Sequence, residues 1–431
     1  MSDNTAFPAA RPILAVLRDP VGWTKTADIC AVLIALSLPW STSLVAIFAV
    51  VWVITLIPTL DLKNFLSTLK RPVCVVSIAL FALAAIGTLW SDAPWGARLY
   101  AISPTLKLLM LPALFYHFER SARGMWVLTA FLVSCLLMSA MSWIVAFEPS
   151  LSLKTGTDAE RGIFVKNHIA QGQEFALCAV ALAYPIVSFL RAKRILLAGL
   201  LMAASLSFVV NMMFVVVSRT ALVTIPIMLA VFAMLHLKWR TIVIIFCAGA
   251  GLAALAWVAS PQLRWRTSTF VSDYERYKAE GRATSIGVRL VYWQKSLRFI
   301  AEAPIVGHGT GSTQGLFERV ATGPIEEAGS KIARNPHNQT LNVAIQWGLI
   351  GIVTLYAMWL LHLLLFRGEG LAAWIGLLVV VQNIFTSLFN SHLFDFHEGW
   401  MYVLGVGVAG GMVLAERSRE ATPGPGNSVK P

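Results

Sequence analysis

The sequence predicts an all-α membrane protein: a polytopic transmembrane helical bundle of about 12 spans with one large, mostly helical loop on its outer face. Three observations lead there. Hydrophobic residues make up 57% of the 431-residue chain and charged residues 13%, against roughly 45–50% and about 25% in soluble domains. The mean hydropathy is +0.70. Apolar runs of about 20 residues recur along the chain, each long enough to cross a hydrocarbon layer of about 30 Å as a helix. This composition excludes a soluble enzyme, a disordered chain and a collagen-like fibre. The runs are continuous rather than alternating, which argues against a transmembrane barrel.

The spans follow in order, at about 27–40, 42–59, 73–90, 101–117, 124–147, 172–190, 195–216, 219–236, 241–258, 338–366, 371–390 and 398–415. Only Pro39, Trp40 and Ser41 separate the first two, which reads as a hairpin or a re-entrant pair. The organisation is then a tail over 1–26, nine spans over 27–258, a loop over 259–337, three spans over 338–415 and a second tail over 416–431. Counted on alternate sides, one side carries 17 Lys/Arg and the short loops of the other carry 5. The basic excess holds loops in the cytoplasm, so both termini are expected there. This uses part of the formal charge of +12; the remainder suits an anionic ligand. Nucleic acid is a poor partner, because no basic soluble domain exists to carry it.

The loop over 259–337 has 79 residues, eleven Lys/Arg and seven Asp/Glu. Loops that long escape the charge rule and are usually functional. Within it Ile286, Leu290, Trp293, Leu297 and Ile300 repeat at helical steps and predict an apolar stripe. Cys30, Cys74, Cys135, Cys178 and Cys247 all lie in apolar runs, so neither disulfides nor a cysteine metal site is expected. The N-terminus lacks the order of a cleaved signal.

Charged and polar residues gather where the outer loops meet the spans. Arg161, Lys166, Asn167 and His168 end one loop. Arg219 sits in the tight turn Ser218-Arg219-Thr220, and Arg289 lies on the helix predicted in the long loop. For Arg219 two readings stand: snorkelling to the headgroups, or facing a ligand. The second is preferred, because a charge near hydrocarbon depth usually faces protein or water. In Asn335-Pro336-His337-Asn338, Asn caps and Pro suits a first turn, which places His337 in the first turn of a long helix. The positive helix end disfavours an imidazolium, so a neutral imidazole fit to act as a general base is expected; a histidine that merely caps or packs is the alternative. Arg161 and Lys166, ordinary loop charges by themselves, join Arg219 and Arg289 as a cationic pocket suited to a phosphate or pyrophosphate carried on a lipid. His392, Asp395, His397 and Glu398 do not follow a recognised ligand spacing, and no metal is expected there. The glycines of Pro304-Ile305-Val306-Gly307-His308-Gly309 read as backbone turns, since no Lys-Ser/Thr pair follows them.

These positions carry a resemblance. Arg161-Gly162 with Lys166-Asn167; Ser218-Arg219-Thr220-Ala221; Arg289 with Trp293 and the segment Pro304 to Gly311; and Pro336-His337-Asn338 with Leu341, Gly348 and Gly351 resemble, in order and spacing, the O-antigen ligase and polymerase superfamily of bacterial inner-membrane proteins. The likeness runs from about residue 70 to 415 and is greatest to the ligase branch. It implies about twelve spans, one large periplasmic loop and an essential histidine at His337. It further implies transfer of O-antigen glycan from undecaprenyl pyrophosphate to a sugar hydroxyl of lipid A–core, with inversion and with no metal, ATP or other cofactor. The implied location is the Gram-negative inner membrane, with the site on the periplasmic face. His337 would then be the base, and Arg219 and Arg289 would hold the leaving diphosphate. Arg161 and Lys166 would assist, with Asn338, Asn167 and His168 in support. Assistance to His337 from Glu160, Asp92 or Glu398 stays open, as does the oligomeric state. The rivals are an O-antigen polymerase, a protein O-oligosaccharyltransferase and a lipid-linked glycan transporter. The last usually places its polar groups near the midplane, whereas here they gather at one face.

Overall fold

A computed structural model describes residues 19–153, 161–216 and 218–421. Most of the 1–26 tail and the end of the 416–431 tail therefore lie outside the described residues, as do Lys154, Glu160 and the side chain of Arg219. Among the described residues the fold is all-α. The helices are α1 Pro20–Ser37, α2 Thr42–Leu56, α3 Leu62–Leu69, α4 Pro72–Ile86, α5 Trp95–Leu106, α6 Met110–Phe118, α7 Gly124–Phe147, α8 His168–Ala181 and α9 Ala183–Arg191. They continue with α10 Ile195–Phe214, α11 Arg219–His236, α12 Trp239–Ala259, α13 Pro261–Glu280, α14 Ser285–Glu302, α15 Thr313–Arg319, α16 Gln339–Leu365, α17 Leu371–Thr386 and α18 Phe396–Ala421. Each of the twelve apolar segments falls on one or more of these. Among the described residues, seven helical stretches are long and apolar enough to cross a membrane, or eight if the pair α3–α4, bent by 76°, is one span. Helices α13, α14 and α15 occupy the segment between α12 and α16.

The last helix is the centre of the bundle, with 83% of its apolar window buried. Small residues allow this. A Cβ at Gly407 would lie 2.6 Å from Leu114, and one at Gly411 would lie 2.6 Å from Phe118, so α6 approaches α18 closely along both. Tyr402, Val403, Val406 and Val408 then complete a core with Phe115 and Phe118.

One end of the bundle is laced by charge. Fully buried Asp28 accepts from Ser121 Oγ (2.6 Å) and Arg123 (3.0 Å), and its Oδ1 lies 2.8 Å from His117 Nε2. Arg71 makes two 2.9 Å bonds to Glu119. Arg417 donates to the Leu365 and Arg367 carbonyls. Basic residues assigned to one side by the sequence thus converge at one end, and pairing removes most of the cost of burying Asp28.

The long helix α16 is not continuous. Gly348 has φ 57° and ψ −148°, a conformation open essentially to glycine. The glycine segment after α14 fills the break. His308 N–H donates to the Ile345 carbonyl (2.9 Å) and Gly309 N–H to that of Gln346 (2.9 Å), while Leu349 N–H donates to Pro304 (2.8 Å). The backbone groups freed by the break are thereby satisfied. The same segment reaches α4, where Thr310 Oγ1 donates to Ala84 (2.6 Å). The glycines of 304–311 are therefore turn and contact glycines.

The predicted stripe on α14 is offset. The helix buries Tyr292, Ser296 and Phe299, and Leu297 is 61% exposed. Hydropathy spacing marks the apolar residues, but the buried face is set by the partner: Phe317 packs edge-on against Tyr292 and Phe299, each at 5.2 Å.

Candidate active site

His337 precedes α16 instead of lying in its first turn. Asn338 is the N-cap, its side chain accepting from Leu341 N–H (3.1 Å), and its Nδ2 donates to the Leu388 carbonyl (3.2 Å). Pro336 cannot donate, so the backbone turns over it. Asn335 Oδ1 accepts from His337 N–H (2.9 Å), and His337 is left at φ 55°. Left-handed backbone is uncommon outside glycine and costs of order 1–3 kcal/mol. The segment is pinned by Gln339 N–H to the Ser387 carbonyl (2.8 Å) and by Leu393 N–H to Gln339 Oε1 (3.1 Å).

Around His337 the loop between α17 and α18 supplies a chain of polar groups. Asn390 Oδ1 lies 2.9 Å from His337 Nδ1, and Asn390 Nδ2 donates to Asp395 Oδ2 at 2.6 Å. Tyr292 stacks on the imidazole with centroids 6.2 Å apart and planes 15° apart. Burial holds the imidazole below its ordinary pKa, and the neighbouring Arg289 and His392 act in the same direction. Asn390 and Asp395 oppose them. The lowered pKa favours the neutral imidazole, and its causes are burial and Arg289 and not a helix dipole.

The structure thus brings Arg289 to His337. It places the segments that carry Arg161, Lys166 and Arg219 around the start of α8. Gly162 has φ +65°, and a Cβ there would lie 2.5 Å from the Ser142 carbonyl; its neighbour Arg161 is half-buried. Gly172 admits Ser218, the N-cap of α11, which sets Arg219 at the helix start. Asn167 caps α8 with bonds from Ile169 N–H (3.0 Å) and Ala170 N–H (2.9 Å), and His168 opens that helix. Lys166 turns inward. Its ammonium is 3.3 Å from Glu174 and touches the Leu38 carbonyl, with side-chain exposures of 5% and 0% for the pair. Burial lowers the Lys166 pKa against the pull of Glu174.

Ligand atoms of His392, Asp395 and Glu398 lie within 4.8 Å of one another, a spacing the sequence did not suggest. The Lys107 ammonium reaches the same place, donating to the carbonyls of Phe394 (3.3 Å) and Asp395. A buried cation thus already faces the two carboxylates, and the group reads as an ion-pair network.

A cavity of about 380 Å³ adjoins the histidine's anchors, lined by Tyr100, Gln314, Arg334, Asn335, Gln346 and Asp395 among others. A second, of about 350 Å³, is almost wholly apolar and runs between α7, α8, α17 and α18 with Leu38 in its wall. Asn390 and Tyr292 escaped sequence reasoning. They lie 53 and 45 residues from His337, and no local spacing ties them to it.

Residues 205–356, which contain Arg219, Arg289, the 304–311 segment and His337, match the family described as O-antigen ligase. The match covers about a third of the chain and makes this part of it similar to that family. A comparison with curated proteins gives no match.

Proposed function

We propose that the protein is an O-antigen ligase of the Gram-negative inner membrane, with both termini cytoplasmic and His337 on the periplasmic face. It transfers glycan from undecaprenyl pyrophosphate to a sugar hydroxyl of lipid A–core. The observation that carries the reading is a half-buried imidazole whose pKa is lowered by burial and by nearby Arg289, beside a cavity with amide side chains in its wall, in a chain whose residues 205–356 match the O-antigen ligase family. Direct displacement needs a base for the hydroxyl, charge stabilisation on the leaving group and alignment. His337 takes the hydroxyl proton as the acceptor oxygen bonds to the anomeric carbon. The bond from that carbon to the phosphate oxygen breaks, and its electron pair leaves with the diphosphate, inverting the centre. Arg219 and Arg289 hold that diphosphate, with Arg161 beside them. Lys166, tied to Glu174, supports the loop that carries Arg161. The amide-rich cavity with Tyr100 suits a sugar, and the apolar crevice below Lys166 suits a polyprenyl chain.

Purified protein in liposomes, given undecaprenyl-pyrophosphate-linked glycan and lipid A–core with EDTA and without ATP, tests this. Glycan is expected on lipid A–core. His337→Ala should lower transfer by about 10²–10⁴-fold while the protein still folds and binds donor; substantial transfer by it refutes the base assignment. Lengthened lipid-linked glycan alone makes the protein a polymerase.

A further inference from the structure

Asn390 is bonded in three directions, and the bonds leave its amide one orientation. Its Nδ2 lies 2.6 Å from Asp395 Oδ2, an acceptor that the amide meets only as a donor. Its Oδ1 therefore faces the other way, 3.0 Å from Asn335 Nδ2 and 2.9 Å from His337 Nδ1. Asn335 is fixed as well. Its Oδ1 accepts from His337 N–H (2.9 Å) and from Ser391 Oγ (2.8 Å), so its Nδ2 is the end that donates. An imidazole nitrogen facing a carbonyl oxygen carries the proton, and in a neutral ring the other nitrogen then holds the lone pair.

We infer that Asn390, held by Asp395, is a positioning residue that fixes His337 in the Nδ1–H tautomer and so makes Nε2 the atom that takes the acceptor's proton. This deepens the ligase reading and rests on it. Asp395 enters because a lone Asn390 amide presents either end to the ring; the carboxylate removes the choice. The groups facing His337 are Asn335 from its own segment, Asn390, His392 and Asp395 from the α17–α18 loop, and Arg289 and Tyr292 from α14. Among them only Asn390 meets Nδ1 with a bond.

The test is steady-state transfer by the full-length protein in liposomes across pH, for wild type, Asn390→Ala, Asp395→Asn and the exchanged pair Asn390→Asp with Asp395→Asn. Asn390→Ala should lose at least about 10-fold in kcat, the order lost when the partner behind a metal-bound imidazole is removed, with little change in KM. Asp395→Asn should lose part of this, because the new amide no longer dictates which way Asn390 turns. The exchanged pair restores direction: residue 395 donates, and the carboxylate at 390 accepts from Nδ1–H. Its kcat should recover to within a few-fold of wild type. Its acidic limb should move to higher pH, because a carboxylate on the ring favours the protonated form. A wild-type kcat in Asn390→Ala, or an exchanged pair no better than the single variants, or one with an unmoved limb, overturns the proposal. If Asn390→Ala fails to fold, the exchanged pair carries the test. Transfer surviving in His337→Ala sinks the base reading itself. An inactive His337→Ala beside an unaffected Asn390→Ala sinks this inference alone.

Discussion

Lys166 separates two kinds of buried cation. An arginine that holds a diphosphate, as proposed for Arg219 and Arg289, is needed for its charge, whereas the charge of Lys166 is met within the protein by Glu174 at 3.3 Å. Breaking a buried pair from one side costs about 3–5 kcal/mol, because the remaining charge stays buried alone, while replacing both partners with apolar groups is often neutral. Lys166→Met should therefore destabilise the protein, and Lys166→Met with Glu174→Leu should restore its thermal stability in detergent and most of its transfer. A stable double variant that cannot bind donor would return Lys166 to the phosphate site. Arg289→Ala should cost about 10²–10³-fold in kcat, the loss seen for one preorganised charge-stabilising donor, and Arg289→Lys should recover only part of it, since an ammonium lacks the planar fork. The pH profile follows from the direction of the His337 shift. A base whose pKa is depressed is neutral, and active, down to lower pH, so the acidic limb should fall below the ordinary histidine value of about 6.5. Removing the Arg289 charge relieves part of the depression and should move that limb up. His337 was legible in the sequence as a candidate because Pro-His-Asn is a local pattern; its contact with Asn390 was not, because that tie spans 53 residues and exists only in the fold.

Elements tell a similar story, with glycine as the visible part. The turn character of the 304–311 glycines could be read from composition. That they enter a break in α16 could not, since hydropathy runs unbroken from Leu341 to Leu365 and gives no sign of Gly348 leaving the helix. A Cβ at Gly348 would collide with the Ile305 carbonyl group, and one at Gly307 would lie 2.5 Å from Trp347 N. Gly348→Ala should thus cost at least about 1–3 kcal/mol from backbone strain alone, read as earlier unfolding in detergent, and should disturb His308 and the loop over the cavity. An unchanged unfolding temperature would mean that α16 closes without the insertion. Asn167 illustrates the opposite case. Its side chain is occupied in capping α8, a role that serine fills nearly as well. Asn167→Ser should keep both stability and transfer, whereas Asn167→Ala should lose about 1 kcal/mol of stability with transfer retained. A Ser variant that is stable but inactive would assign Asn167 to the substrate.

At the scale of the whole molecule, the twelve-span reading and the seven or eight helices that suffice on their own differ for a physical reason. A helix walled by other helices need match neither the thickness nor the apolarity of the lipid. Helix α17 has 16 residues and reaches about 24 Å at 1.5 Å per residue, short of the hydrocarbon layer, but most of its side chains are buried against α8, α11 and α18. Length, and not a lack of apolar residues, keeps α17 and the apolar part of α11 out of the count of seven. Contacts at one end of the bundle speak for a full crossing by α11 as well: Arg191, at the end of α9, donates to the carbonyl of His236, at the end of α11. Helices α10 and α11 therefore leave and return to one end. The prediction sits at the α11–α12 connection. If both helices cross, Lys238 lies on the same side as Lys193; if only α10 crosses, it lies on the opposite side. With exposed Cys247 replaced by Ser, an impermeant thiol reagent should fail to label Lys193→Cys and Lys238→Cys from outside intact spheroplasts and should label Ile325→Cys, whose side chain is exposed on the long loop. Labelling of Lys238→Cys together with Ile325→Cys would remove two spans. It would also make Lys238 and Arg240, in that connection, exceptions to the positive-inside pattern.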